Sequence, residues 1–186
     1  MYRDEILAYV PRCGQEEGDK RVMLDCIDRF PDTILTRENR WAHMTGSGFI
    51  VNADGTKVLF VHHDTYKVWA WTGGHADGAG DLLSVALREA REETGAIHVR
   101  PLSTEIASLE ILPVWGHWKR GKWVPSHQHL NVTYLLLADE TDPLTGRPGE
   151  NGGAAWLPAE RLPELTNERQ MDPVYAKLLA RARALL

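Results

Sequence analysis

The stretch "ALREAREETG", residues 86–95, limits what this chain can fold into more than any other. Glu89, Glu92 and Glu93 stand at i, i+3 and i+4, so on a helix they share one quadrant, one turn above another. Like charges at that spacing destabilise an isolated helix by about 0.2–0.5 kcal/mol per pair. Either flanking arginines and water absorb that cost, or something positive sits on the cluster. The helix itself is well marked: helical period runs from Leu82 to about Thr94, Asp81 is placed as its N-cap, and Gly95 fits the left-handed position just past its end. Leu83, Leu87, Ala90 and Thr94 form the face opposite the glutamates and are expected to pack on a sheet. Leu82, Val85 and Ala86 share the glutamate side one turn earlier.

Around this helix the pattern alternates between periods. Residues 15–30 place Val22, Met23, Cys26, Ile27 and Phe30 at helical spacing, and Pro31 ends the run. From residue 46, "GSGFIVN", "ADGT" and "KVLFVHH" read as strand, Asp-Gly turn, strand. A short strand then enters a glycine-rich loop before the glutamate helix. Residues 104–113 and 128–138 read as strands, with 114–127 a long loop or hairpin carrying three tryptophans. A turn-rich loop, a short strand at "AAWLPA" and a closing amphipathic helix from "MDPVYAKLL" complete the chain. Strands and helices mix without regular alternation, so the expectation is an α+β fold with a mixed sheet.

Charge and composition remove several function classes. A net charge of −5 and an isoelectric point near 5.9 argue against general nucleic-acid binding, which wants a basic stripe. They leave open a phosphorylated small molecule, because a bound dication would invert the local sign. The only cysteines, Cys13 and Cys26, make neither a disulfide framework nor a zinc site, and their scarcity points to a reducing, cytoplasmic setting. No apolar run reaches membrane-spanning length, so no membrane partner is expected.

The segment "GHADGAGDLLSVALREAREETGA" resembles the Nudix box. Gly74, Arg88, Glu89, Ala90, Glu92, Glu93, Gly95 and Ala96 fall on that pattern in register, while Gly80 stands where the box has its first glutamate. In the family that glutamate pairs with the arginine matched by Arg88; Asp81, one residue on, is a shorter substitute. The flanking text resembles a branch of the family with an N-terminal helical extension, which places residues 1–44 as an extension packed on the body and 45–186 as the Nudix hydrolase domain. The resemblance implies an α/β/α sandwich.

It also implies hydrolysis of a nucleoside diphosphate linked to another moiety, with Mg²⁺ or Mn²⁺ as cofactor. Glu89 and Glu93 are the first-choice metal ligands. Glu92 is a ligand or the group orienting the nucleophile, and the Gly73 carbonyl is a further ligand by match to the family. Arg88 anchors the helix and loop, and Glu150 matches a loop glutamate that serves as ligand or general base. His127 and His129 match a His-x-His pair on one strand face and can contact phosphate; His75 lies in the metal loop. The resemblance also allows a homodimer. A competing reading is a Nudix-fold module that binds or senses a nucleotide without cleaving it. An isopentenyl-diphosphate isomerase-like enzyme would want a cysteine near the site, and both cysteines lie in the extension.

Overall fold

The computed structural model describes residues 2–63, 67–119, 121–146 and 151–186. The chain begins with α1 (Tyr2–Ala8) and α2 (Gly14–Arg29), then enters β1 (Ala42–Val51), β2 (Lys57–His63), β3 (Trp69–Ala70) and β4 (Thr72–His75). Helix α3 (Leu82–Thr94) follows, then β5 (Arg100–Pro101), β6 (Ser108–Val114), β7 (His117–Lys119), β8 (Lys122–Val124) and β9 (His127–Leu137). The chain closes with β10 (Asn151–Pro158), a 3-10 turn, α4 (Leu162–Leu165) and α5 (Asp172–Arg183). Among the described residues no helix is long and apolar enough to cross a membrane.

One mixed sheet organises the whole. Its main path is β10-β2-β1-β9-β5, with β4 added beside β1, β3 beside β2 and β6 beside β9. β1 and β9 run parallel over their full length, from Ala42 opposite Gln128 to Val51 opposite Leu137, and the other pairs are antiparallel. All ten residues of β1 are buried, as a strand covered on both faces must be. On one face Met44, Ile50 and Leu130 pack with Ile6, Met23, Leu82, Ala86 and Ala90 from α1, α2 and α3. On the other, Phe49, Phe60 and Leu135 pack with Tyr175, Leu178 and Ala182 of α5. The result is the expected α+β architecture, an α/β/α sandwich.

Two readings need correction. The Asp-Gly hairpin signal is real, with Gly55 at φ 66°, but β1 and β2 share only the pairs Ile50–Leu59 and Val51–Val58. β1 starts at Ala42 rather than 46, and its middle, Thr45 to Gly48, pairs with β4 instead. On α3, the expected sheet-packing face is displaced. Leu82, Val85, Ala86, Ala90 and Glu93 are buried, whereas Leu83 and Leu87 are only half-buried. Ala90 and Thr94 of the expected face are fully buried, so the helix is rotated by a part turn rather than reversed, and Glu93 is drawn toward the sheet.

Candidate active site

Helix α3 is fixed at both ends before its carboxylates are placed. Asp81 caps it, its Oδ1 accepting the Ser84 N–H at 3.0 Å and its Oδ2 the Ser84 hydroxyl at 2.6 Å. Gly95 closes it at φ 74°, its N–H donating to Arg91 O at 2.9 Å. The Thr94 carbonyl accepts from Thr145 N at 2.8 Å, and Arg91 Nη2 donates to Val99 O at 2.9 Å. Asp81 is thus spent on the cap, and its expected substitution for the missing box glutamate is not what the structure shows: Arg88 bonds Glu89 instead.

The loop from β4 to α3 is pinned to the connector after α2. Arg37 Nε donates to Asp77 Oδ1 at 2.8 Å, and Gly78 N donates to Leu35 O at 2.9 Å. Asp77 and Gly78 both take positive φ, 47° and 92°, which the short polar aspartate tolerates and glycine accepts freely. Gly80 has no such constraint. A Cβ there would meet only Tyr2 Cδ1, at an ordinary 3.7 Å.

The carboxylates meet β4 at two bare glycines. Glu93, only 8% exposed, accepts the Gly73 N–H on its Oε2 at 3.0 Å. Glu89 lies over Gly74, where a Cβ would come within 2.4 Å of its Cδ. Its Oε1 also accepts Arg88 Nη2 at 2.8 Å, and the same guanidinium nitrogen is 3.5 Å from the His75 carbonyl. Glu92 is exposed beside this pair. Glu89, Glu92, Glu93, Gly73 and Arg88 are therefore brought together at one end of α3. Glu150 lies outside the described residues.

The histidines gather on the other face of the sheet. Gly46 faces α3, since a Cβ there would meet Leu82 O at 2.7 Å. By alternation His43, Thr45 and Ser47 point away from it, and the register sets His129 beside His43 and His75 beside Thr45. His127 joins the same group, with its ring 4.8 Å from that of His43. Burial, helped by Arg37 and the neighbouring rings, pushes His75 down to about 3. Burial and those same neighbours push His129 down to about 2, and burial also lowers His43. In all three, burial favours the neutral ring. His43 was not foreseen from the sequence; the polar alternation His43, Thr45, Ser47 in an otherwise apolar strand is the signal that marks it.

Comparison with known proteins connects the sequence and the fold to a family. The sequence model of the NUDIX domain matches residues 42–181. No curated protein matches the chain. Among solved structures, a hydrolase of the NUDIX family from Clostridium perfringens is 25% identical, with a TM-score of 0.50, over 77% of this chain and 95% of that one. A C. elegans Ap4A hydrolase in a binary complex is similar at 15% identity and a TM-score of 0.53, over 76% of this chain and 98% of its own. The E. coli dihydroneopterin triphosphate pyrophosphohydrolase is similar at 15% identity and a TM-score of 0.51, covering 74% and 95%. The last two likenesses are of fold alone.

Proposed function

The chain belongs to the Nudix family of hydrolases, and from that premise we propose that it is a divalent-metal-dependent pyrophosphohydrolase that cleaves a nucleoside diphosphate linked to a second moiety. The observation that carries this reading is the carboxylate row of α3 seated on Gly73 and Gly74. Such a donor set fits a hard dication. Mg²⁺ or Mn²⁺ takes carboxylate, carbonyl and phosphate oxygens, and Glu89, Glu92, Glu93 and the Gly73 carbonyl would hold it. When bound, the ion lowers the pKa of a water and neutralises charge on the diphosphate.

The chain's own groups divide the remaining work. Gly73 N–H fixes the orientation of Glu93, and Arg88 does the same for Glu89. Glu92, on the exposed edge of the row, orients the attacking water and takes its proton, with Glu150 as a further candidate base. The exposed Trp118 and Trp123, edge to face at 5.7 Å in the β7–β8 hairpin, offer rings for a base to stack on.

A panel of nucleoside diphosphate conjugates, assayed with Mg²⁺ and Mn²⁺ for released phosphomonoester, tests the proposal. Hydrolysis in H₂¹⁸O should label a phosphate product. Glu92→Gln should lower kcat and kcat/KM together by about two decades, leaving KM little changed. Gly80 in place of the box glutamate favours the second reading, a nucleotide-binding module. Tight Mg²⁺-dependent binding of a conjugate with no turnover would establish that reading and end the first.

A further inference from the structure

The four clustered histidines do no work in the chemistry above, and their geometry is unusual for residues that merely fill space. Ligand atoms of His43, His75 and His129 all lie within 4.8 Å of one another. The rings of His43 and His75 are 5.1 Å apart, His43 and His129 5.2 Å, and His75 and His129 4.9 Å. The Nε2 atoms of His43 and His129 are buried and, among the described residues, meet no hydrogen-bond partner. Leaving a polar atom in that condition costs about 1–3 kcal/mol.

The tautomer of the most buried ring follows from its neighbour. His43, 4% exposed, has Nδ1 3.0 Å from the Asn39 carbonyl oxygen. A carbonyl only accepts, so Nδ1 carries the proton and Nε2 keeps its lone pair. The Asn39 side chain is itself held, its Oδ1 accepting the N–H groups of Trp41 at 3.1 Å and Ala42 at 3.3 Å. An imidazole whose outer nitrogen donates to a backbone carbonyl, with its inner nitrogen bare, is oriented as metal-binding histidines are. His127 repeats the device at the rim, its Nδ1 2.9 Å from the Pro125 carbonyl.

We propose that His43, His75 and His129 form a second metal centre, for a first-row transition ion of borderline softness such as Zn²⁺, on the opposite face of β4 from the glutamate cluster. Three imidazoles with ligand nitrogens this close select such an ion over Mg²⁺, which prefers oxygen. The bare Nε2 of His43 can only accept, so it has no hydrogen bond to give a phosphate oxygen. A tetrahedral zinc site with Zn–N near 2.0–2.1 Å needs nitrogens about 3.3 Å apart, so binding draws the rings together by rotation about their side-chain bonds. The fourth position is left to His127 or a water. Gly74 and His75 are successive residues, so one strand carries the two centres back to back, sorted by donor type.

Protein freed of metal by chelation is titrated with Co²⁺ and then Zn²⁺. One equivalent of Co²⁺ should give the intense visible bands of a tetrahedral nitrogen site, displaced by Zn²⁺ and not by excess Mg²⁺. His43→Gln and His129→Gln should each weaken Zn²⁺ binding by at least about 100-fold. Glu93→Gln should leave it within about twofold, as expected of independent sites. X-ray absorption at the zinc edge of the wild-type protein gives a readout that needs no variant: outer-shell scattering from imidazole rings supports the centre. Oxygen-only coordination, no stoichiometric binding, or Zn²⁺ affinity that follows the glutamate variants instead of the histidine ones would overturn it.

Discussion

An alanine at position 74 would put its Cβ 2.4 Å from Glu89 Cδ and 2.6 Å from Oε1. Both atoms belong to the far end of a flexible side chain, so the fold survives by moving the carboxylate. Gly74→Ala should therefore keep stability within about 1 kcal/mol while displacing Glu89, and a displacement near 1 Å in a positioned group costs about 100-fold in rate. Denaturant melts beside kcat will check this; a variant that unfolds easily, or one that turns over normally, contradicts it. At this scale much of the site was legible. The glutamates, the arginine and the two glycines lie within about one loop and one helix, so fixed spacing identifies them. The histidine cluster was legible only in pieces. His127 and His129 were visible as a strand-face pair and His75 as a loop residue, but nothing local joins them to His43. That union depends on β1 pairing with β4 and β9, which no spacing rule encodes.

For single elements, the caps of α3 were readable and the face it buries only in part, since Ala90 and Thr94 are buried but Leu83 and Leu87 only half so. The wheel of this helix has two adjoining apolar arcs, and tertiary contact sets how deeply each is buried. Leu82, Val85 and Ala86 are buried more deeply than Leu83 and Leu87, and the same rotation brings Glu93 to the Gly73 N–H. Burying Leu82 or Val85 contributes about 1.5–3 kcal/mol, enough to outweigh the repulsion among the glutamates. Asp81 offers a clean separation of roles. If it serves only as cap, Asp81→Ala should cost about 1 kcal/mol, lowering Tm by about 2–4 °C, with kcat unchanged. A fall in kcat with Tm preserved would instead mean that it braces the arginine.

Across the whole molecule, a buried ionic cluster joins the two ends of the chain. Glu16 of α2 is fully buried and receives Arg181 Nη1 at 2.5 Å, Lys177 Nζ at 3.0 Å, the Tyr9 hydroxyl at 2.8 Å and the Arg12 N–H at 2.8 Å. Ser108 and Glu110 of β6 face the same group, with Ser108 Oγ 2.9 Å from Glu16 and Lys177 Nζ 3.2 Å from Glu110. Desolvation alone would raise the Glu16 pKa; hydrogen bonds from Arg181, Arg12, Tyr9 and Lys177 outweigh it and hold the value at about 2. With the folded value below the ordinary 4.5, the stabilisation is present above that pH and is lost as pH falls through about 2. Glu16→Gln should thus lower stability by about 3–5 kcal/mol at pH 7, and the gap to wild type should narrow between pH 4.5 and 2. Equilibrium unfolding at several pH values measures it, and a gap independent of pH refutes the assignment.

The parallel pairing of β1 with β9 has a consequence in time as well as in space. Thr45 and Asn131 meet across 86 residues of chain, and closing a loop of that length costs about 4 kcal/mol of entropy before any contact returns it. Such non-local pairing is slow to form, on the scale of milliseconds to seconds. β1 is also the strand on which β4 lies, and β4 carries the glycines that receive Glu89 and Glu93. Refolding from denaturant should then recover tryptophan fluorescence and Mn²⁺ affinity with one rate constant; metal affinity returning in an earlier phase would show the helix and β4 docking without the sheet. During synthesis the glutamate helix emerges well ahead of β9, so the nascent chain holds its negative charge for a time with nothing yet built to receive it.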